Sequence, residues 1–90
     1  MLYRIVTEDK NRAGILKLLG SFFDGFTMYK AQGYYANTRE PALIIEIDDM
    51  NLDNSAALSA KVRSIVKALK KMNQQDCVLL QKISAISEML

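Results

Sequence analysis

The sequence predicts a single α+β domain of order β-α-β-β-α-β, with four strands in one antiparallel sheet and both helices on one of its faces. Three observations lead there. Two segments of more than ten residues carry an apolar stripe at helical spacing. Four short runs rich in β-branched or aromatic residues surround them in the order required. Half of the 90 residues are apolar, enough for one modest core and too few residues for two.

The elements follow in order. Leu2 to Thr7 (LYRIVT) reads as a strand, with Tyr3, Ile5 and Thr7 on one face and Leu2, Arg4 and Val6 on the other. Asn11 to Phe23 reads as a helix whose stripe is Ile15, Leu19 and Phe22, widened by Leu16 and Phe23; Asp9 or Asn11 can cap it. Gly14 and Gly20 each cost it about 1 kcal/mol relative to Ala. Asp24-Gly25 signals a turn. Phe26 to Gln32 is the second strand, Gly33 interrupts it, and Tyr34-Tyr35 continue it past a bulge. Ala36 to Pro41 (ANTREP) reads as a loop or wide hairpin tip. Ala42 to Asp48 (ALIIEID) is the clearest strand, with Leu43, Ile45 and Ile47 opposed to Ile44, Glu46 and Asp48.

Met50 to Asn54 reads as a loop, and Asn54 or Ser55 can cap a long helix from Ser55 to Met72 striped by Leu58, Val62, Ile65, Leu69 and Met72. Asn73 to Asp76 ends that helix. Cys77 to Lys82 is the last strand, and residues 83–90 either prolong it or form a short amphipathic tail that docks on a partner. Right-handed crossovers put the first and third strands in the centre. This is the ferredoxin-like arrangement, with one sheet face left open. Arg4 or Tyr3, Glu46 and Asp48, and Tyr29 or Met28 are expected on that face, with Arg4 paired to an acid on the neighbouring central strand.

FDGFTMYKAQGYY followed by REPALIIEI, preceded by a strand like YRIVTED, resembles a small uncharacterised bacterial and phage domain family over Leu2 to Ile47. The order of elements also resembles the PII-like superfamily, whose trimers bind nucleotides in clefts between subunits. Against that superfamily's pattern, the chain has no long loop between its second and third strands and no evident basic phosphate clamp there. The resemblance implies a small ferredoxin-like module, and, for a phage-type protein, an inhibitor or adaptor acting on a larger host complex.

Composition narrows the chemistry. There is no histidine, which removes the commonest general base and metal ligand and every Ser-His or Cys-His pair. The single cysteine, Cys77, allows no internal disulfide and reads as a buried, inert thiol. Glu46, Asp48, Asp49 and Asp53 match no calcium-loop spacing and read as ion pairs and a helix cap. The isolated glycines match no phosphate loop. No catalytic residue, metal or cofactor is expected, and no run approaches the ~20 apolar residues of a membrane span. A cytosolic protein is the simplest expectation.

The formal charge of +2 is unevenly spread: residues 1–54 carry −2 and residues 55–90 carry +4. The excess falls on the second helix, where Lys61, Lys67, Lys70 and Lys71 are the candidates for a nucleic-acid footprint. The tyrosines are the other enrichment. RNA-recognition domains of this topology stack bases on aromatic residues of the two central strands, whereas the third strand here is aliphatic and acidic. Tyrosine is also a frequent anchor at protein interfaces. The expected function is therefore a non-enzymatic protein-binding module, a homodimer or other small homo-oligomer. Its contacts are expected through Tyr29, Tyr34, Tyr35 and Arg39, with Arg4, Glu46 and Asp48 on the open face and Ala36 to Pro41 setting specificity. A small-ligand sensor with sites between subunits is the alternative, and nucleic-acid binding through the basic helix a second.

Overall fold

The computed structural model describes residues 1–48, 55–75 and 78–90, with Tyr35 and Ser55 as backbone. The elements are β1 (Leu2–Glu8), α1 (Arg12–Gly20), β2 (Thr27–Tyr35), β3 (Thr38–Asp48), α2 (Ser55–Met72) and β4 (Leu79–Ile83). The strands form one sheet of order β2-β3-β1-β4, and every neighbouring pair is antiparallel. This is the ferredoxin-like arrangement, with β1 and β3 central as crossover handedness requires.

The alternation of the central strands decides what is buried. Tyr3, Ile5 and Thr7 of β1 and Leu43, Ile45 and Ile47 of β3 point to the helices. They meet Ile15 and Leu19 of α1 and Val62, Ile65 and Leu69 of α2, all fully enclosed. Each of these aliphatic side chains contributes roughly 1.5–3 kcal/mol of gross burial, offset largely by ordering the chain. Among the described residues no helix is long and apolar enough to cross a membrane.

Several boundaries differ from the sequence reading, each for a local reason. Helix α1 stops at Gly20, so Phe22 lies beyond it and is exposed, while Phe23 packs partly on the core. The start is set by Asn11, whose Oδ1 accepts the Gly14 N–H at 3.2 Å. A Cβ on Gly14 would lie 2.5 Å from the Asn11 amide, so this glycine makes room for the cap. Near Gly20 a Cβ would meet nothing, and no close backbone explains that glycine.

No bulge occurs at Gly33: β2 and β3 stay in one register from Thr27↔Glu46 to Tyr35↔Thr38. The expected loop Ala36 to Pro41 shrinks to a two-residue turn, Ala36-Asn37, with φ of 49° and 64°. Two positive φ values mark the turn that matches the twist of a hairpin. Pro41 sits within β3 because its carbonyl, accepting the Asp9 N–H at 3.3 Å, faces the end of β1. Its nitrogen faces the same way, where no ladder donor is required. Strand β3 therefore has 11 residues and spans about 36 Å at strand rise. It accounts for most of the 40 Å long axis of the molecule. Beyond the Glu8↔Ala42 pair, β2 and β3 project as a two-stranded arm.

Helix α2 keeps its expected bounds, but Met72 is exposed rather than part of the stripe. Strand β4 begins at Leu79 and ends at Ile83, later than the sequence reading at both ends. Residues 84–90 have no regular structure. They are held by the Met1 ammonium donating to the Ala85 carbonyl at 3.1 Å and by a hydrogen bond from the Ser87 hydroxyl to the Asp48 carboxylate. The loop Met50 to Asn54, Asp49, Cys77 and the capping side chains Asn54 and Ser55 lie outside the described residues.

Candidate functional site

The open face is built by the residues that alternate away from the core. The register places Leu2, Arg4 and Val6 of β1 beside Ala42, Ile44, Glu46 and Asp48 of β3. Thr27, Tyr29, Ala31 and Gly33 of β2 flank one side, and Leu79, Gln81 and Ile83 of β4 the other. Apolar side chains predominate: Leu2, Val6, Ile44 and Ile83 are half-buried, and Leu79 and Tyr29 are 54% and 44% exposed.

One polar cluster lies at its centre. Arg4 pairs directly with Glu46 across the two central strands, with Nη2 3.9 Å from Oε2. Tyr29 reaches the same carboxylate from β2, its hydroxyl donating to Oε1 at 2.5 Å. That hydrogen bond raises the Tyr29 phenol above its ordinary pKa, helped by desolvation and the Glu46 charge and opposed by Arg4. The cluster is neutral overall. Arg4 Nε is buried and has no hydrogen-bond partner among the described residues. Asp48 ends the row, where it holds Ser87.

Four of the seven expected interface residues thus share one face: Arg4, Tyr29, Glu46 and Asp48. Two of the others do not join them. Tyr34 and Arg39 are cross-strand neighbours on the opposite face of the arm, and Tyr34 is 71% exposed. The Tyr35 side chain lies outside the described residues. Ala36 to Pro41 is a two-residue turn followed by strand rather than a loop.

The basic residues of α2 divide as well. The Lys61 ammonium sits 4.8 Å from the Phe23 ring centre and 5.9 Å from that of Phe22, so it covers the aromatic residues after α1. Lys67 and Lys71 are exposed and Lys70 half-buried. Among the described residues no group of three or more acids or thiols is arranged to hold a metal ion; Asp49 and Asp53 lie outside them.

A polar lock after α2 escaped the sequence reading, which took Asn73 to Asp76 only as a helix end. Gln75 is buried; its Nε2 donates to the Thr7 hydroxyl at 2.8 Å, and its Oε1 accepts the Glu8 N–H at 3.2 Å. Asn73 is buried beside it, its Nδ2 donating to the Lys10 carbonyl at 3.3 Å and its carbonyl accepting from Lys10 Nζ at 3.2 Å. The pair ties the end of α2 to the turn between β1 and α1. The available signal was two amides in a row of polar residues, which has no periodicity to set it apart.

No protein-family model and no curated protein matches the sequence. Among solved structures the chain is similar to a DUF3240 family protein from Shewanella baltica OS155, whose crystal structure was determined at 2.40 Å resolution. The TM-score is 0.61 and the identity 15%, over 99% of this chain and 94% of that one. At that identity the likeness establishes the fold, and the ferredoxin-like architecture is common to the two proteins.

Proposed function

We propose that the chain is a non-enzymatic protein-binding module that works through the open face of its sheet, and that the first occupant of that face is a second copy of itself. The observation that carries this reading is the composition of the face. It is an apolar surface around a cluster whose charges are matched within the chain. A charged face would repel its own copy. A face whose central charges cancel can meet itself about a two-fold axis, or its neighbours around a ring, without like charges in contact at its centre; Asp48 lies at the end of the row. Large apolar patches on small domains mark such interfaces, and Tyr29 supplies a side chain frequent at their centres. An adaptor or inhibitor acting on a larger complex is a use to which such an assembly could be put.

A soluble paramagnetic probe tests this by NMR. If the face is covered, the methyl groups of Val6, Ile44 and Leu79 are shielded, while those of Leu16, 46% exposed on α1, are bleached. Equal bleaching of all four residues at concentrations near a millimolar would refute the proposal.

A further inference from the structure

A second site lies on the other side of the arm. A cleft of about 540 Å³ opens between the β2–β3 hairpin and the turn after β1, lined by Asp9, Lys30, Ala31, Gln32, Arg39 and Pro41. Lys30 pairs with the core residue Leu43, and Tyr34 with Arg39, so Lys30, Gln32, Tyr34 and Arg39 all point to the helix side of the hairpin. Two cations that share a small cleft repel each other unless an anion joins them. Among the described residues no carboxylate lies within ion-pair range of Lys30 or Arg39.

Asp9 is present in the wall but already engaged. Arg12 grips both of its oxygens, Nε to Oδ1 at 2.8 Å and Nη2 to Oδ2 at 2.6 Å. This hydrogen-bonded pair holds the Asp9 carboxyl below its usual pKa, against a smaller effect of burial and with lesser help from the Arg12 and Lys30 charges. Lys10 is likewise matched, by Glu8 at 2.8 Å. The unmatched charge of the cleft is that of Lys30 and Arg39. Gln32 adds a directed donor: its Oε1 accepts the Tyr34 hydroxyl at 3.3 Å, which leaves its Nε2 free to donate. A planar guanidinium, an ammonium and an amide N–H on one wall suit an anion with several oxygens.

We propose that this cleft binds a small-molecule oxyanion, a phosphoryl group or paired carboxylates, with Arg39 as the bidentate donor, Lys30 as the second charge and Gln32 as the orienting amide. It lies on the face away from the open sheet and stands independently of self-association.

Calorimetric titration of the full chain with inorganic pyrophosphate and, separately, with malonate tests the site, with sodium chloride matched for ionic strength. Binding of at least one is expected, and which one tells a phosphoryl from a dicarboxylate ligand. Arg39→Gln and Lys30→Gln should each weaken it by about tenfold or more, the worth of one charge-assisted hydrogen bond. Arg39→Lys should retain part of the affinity by keeping the charge without the fork. Both positions are on the exposed hairpin surface, and the circular dichroism melt of each variant verifies that it folds. Absence of binding by both anions up to about 10 mM, where a site of this kind must begin to fill, would overturn the proposal. So would binding that survives both glutamine substitutions.

Discussion

At the scale of the residue, side chains that look unremarkable in the sequence hold the molecule's most specific contacts. Gln75 closes a hydrogen-bonded link to β1 from 67 and 68 residues away. Gln75→Ala would leave the Glu8 N–H and the Thr7 hydroxyl without that partner, and should lower stability by about 1–3 kcal/mol. Urea unfolding is the measure, with the midpoint falling and the slope unchanged. A second expectation concerns Tyr29. Its folded pKa is raised, chiefly by the hydrogen bond to Glu46. The stability linked to it is therefore fully present below the ordinary tyrosine value of about 10 and is lost as pH rises through the raised folded value. Glu46→Gln should shift one phenol of the phenolate absorbance titration down toward the ordinary range, and Tyr29→Phe should remove that same transition. The Asp9–Arg12 pair has the opposite sign. The lowered Asp9 value gives stability present above the ordinary carboxylate range and lost as pH falls through the folded value.

At the scale of the element, the hairpin turn shows what one backbone conformation costs. Ala36 has φ of 49°, where a Cβ is disfavoured. Ala36→Asn should stabilise the arm by about 0.5–1 kcal/mol, since asparagine tolerates this region far better. A rise in melting temperature is the readout; a fall would show that the turn differs from that described. The same hairpin separates what could be read in the sequence from what could not. Alternation made ALIIEID legible as a central strand, and with it an acid beside Arg4; the register selects Glu46. Thr38 to Pro41 carries no alternation, and proline is confined to the edges and ends of strands. Only the end of β1 at Glu8 makes Pro41 acceptable. Residues such as Leu58, Val62, Ile65 and Leu69 were legible because helical spacing repeats. Met72 continues the spacing but is exposed, so the pattern outlasts the surface it packs on. Lys30 and Arg39 are nine residues apart, and nothing but the register of the hairpin brings them into one cleft.

At the scale of the whole molecule, two helices cover one side of the sheet and leave the other as an apolar face with a neutral centre. Ile44 is at the middle of that face, on a central strand between Val6 and Tyr29. Ile44→Lys should cost the isolated fold no more than about 1 kcal/mol, yet weaken self-association by about 30-fold or more, as for a charge placed in an interface core. An unchanged association with an unchanged melt would place the interface elsewhere, and the exposed Ile86, Met89 and Leu90 would be the next surface to alter.

The most direct test is the mass of the unaltered chain in solution, by light scattering from about 5 to about 500 μM, a range over which association reveals itself through mass action. Coverage of the open face by a second copy requires a mass of at least twice the 10.1 kDa of the chain at the upper end. A mass that remains at that of one chain throughout would contradict it.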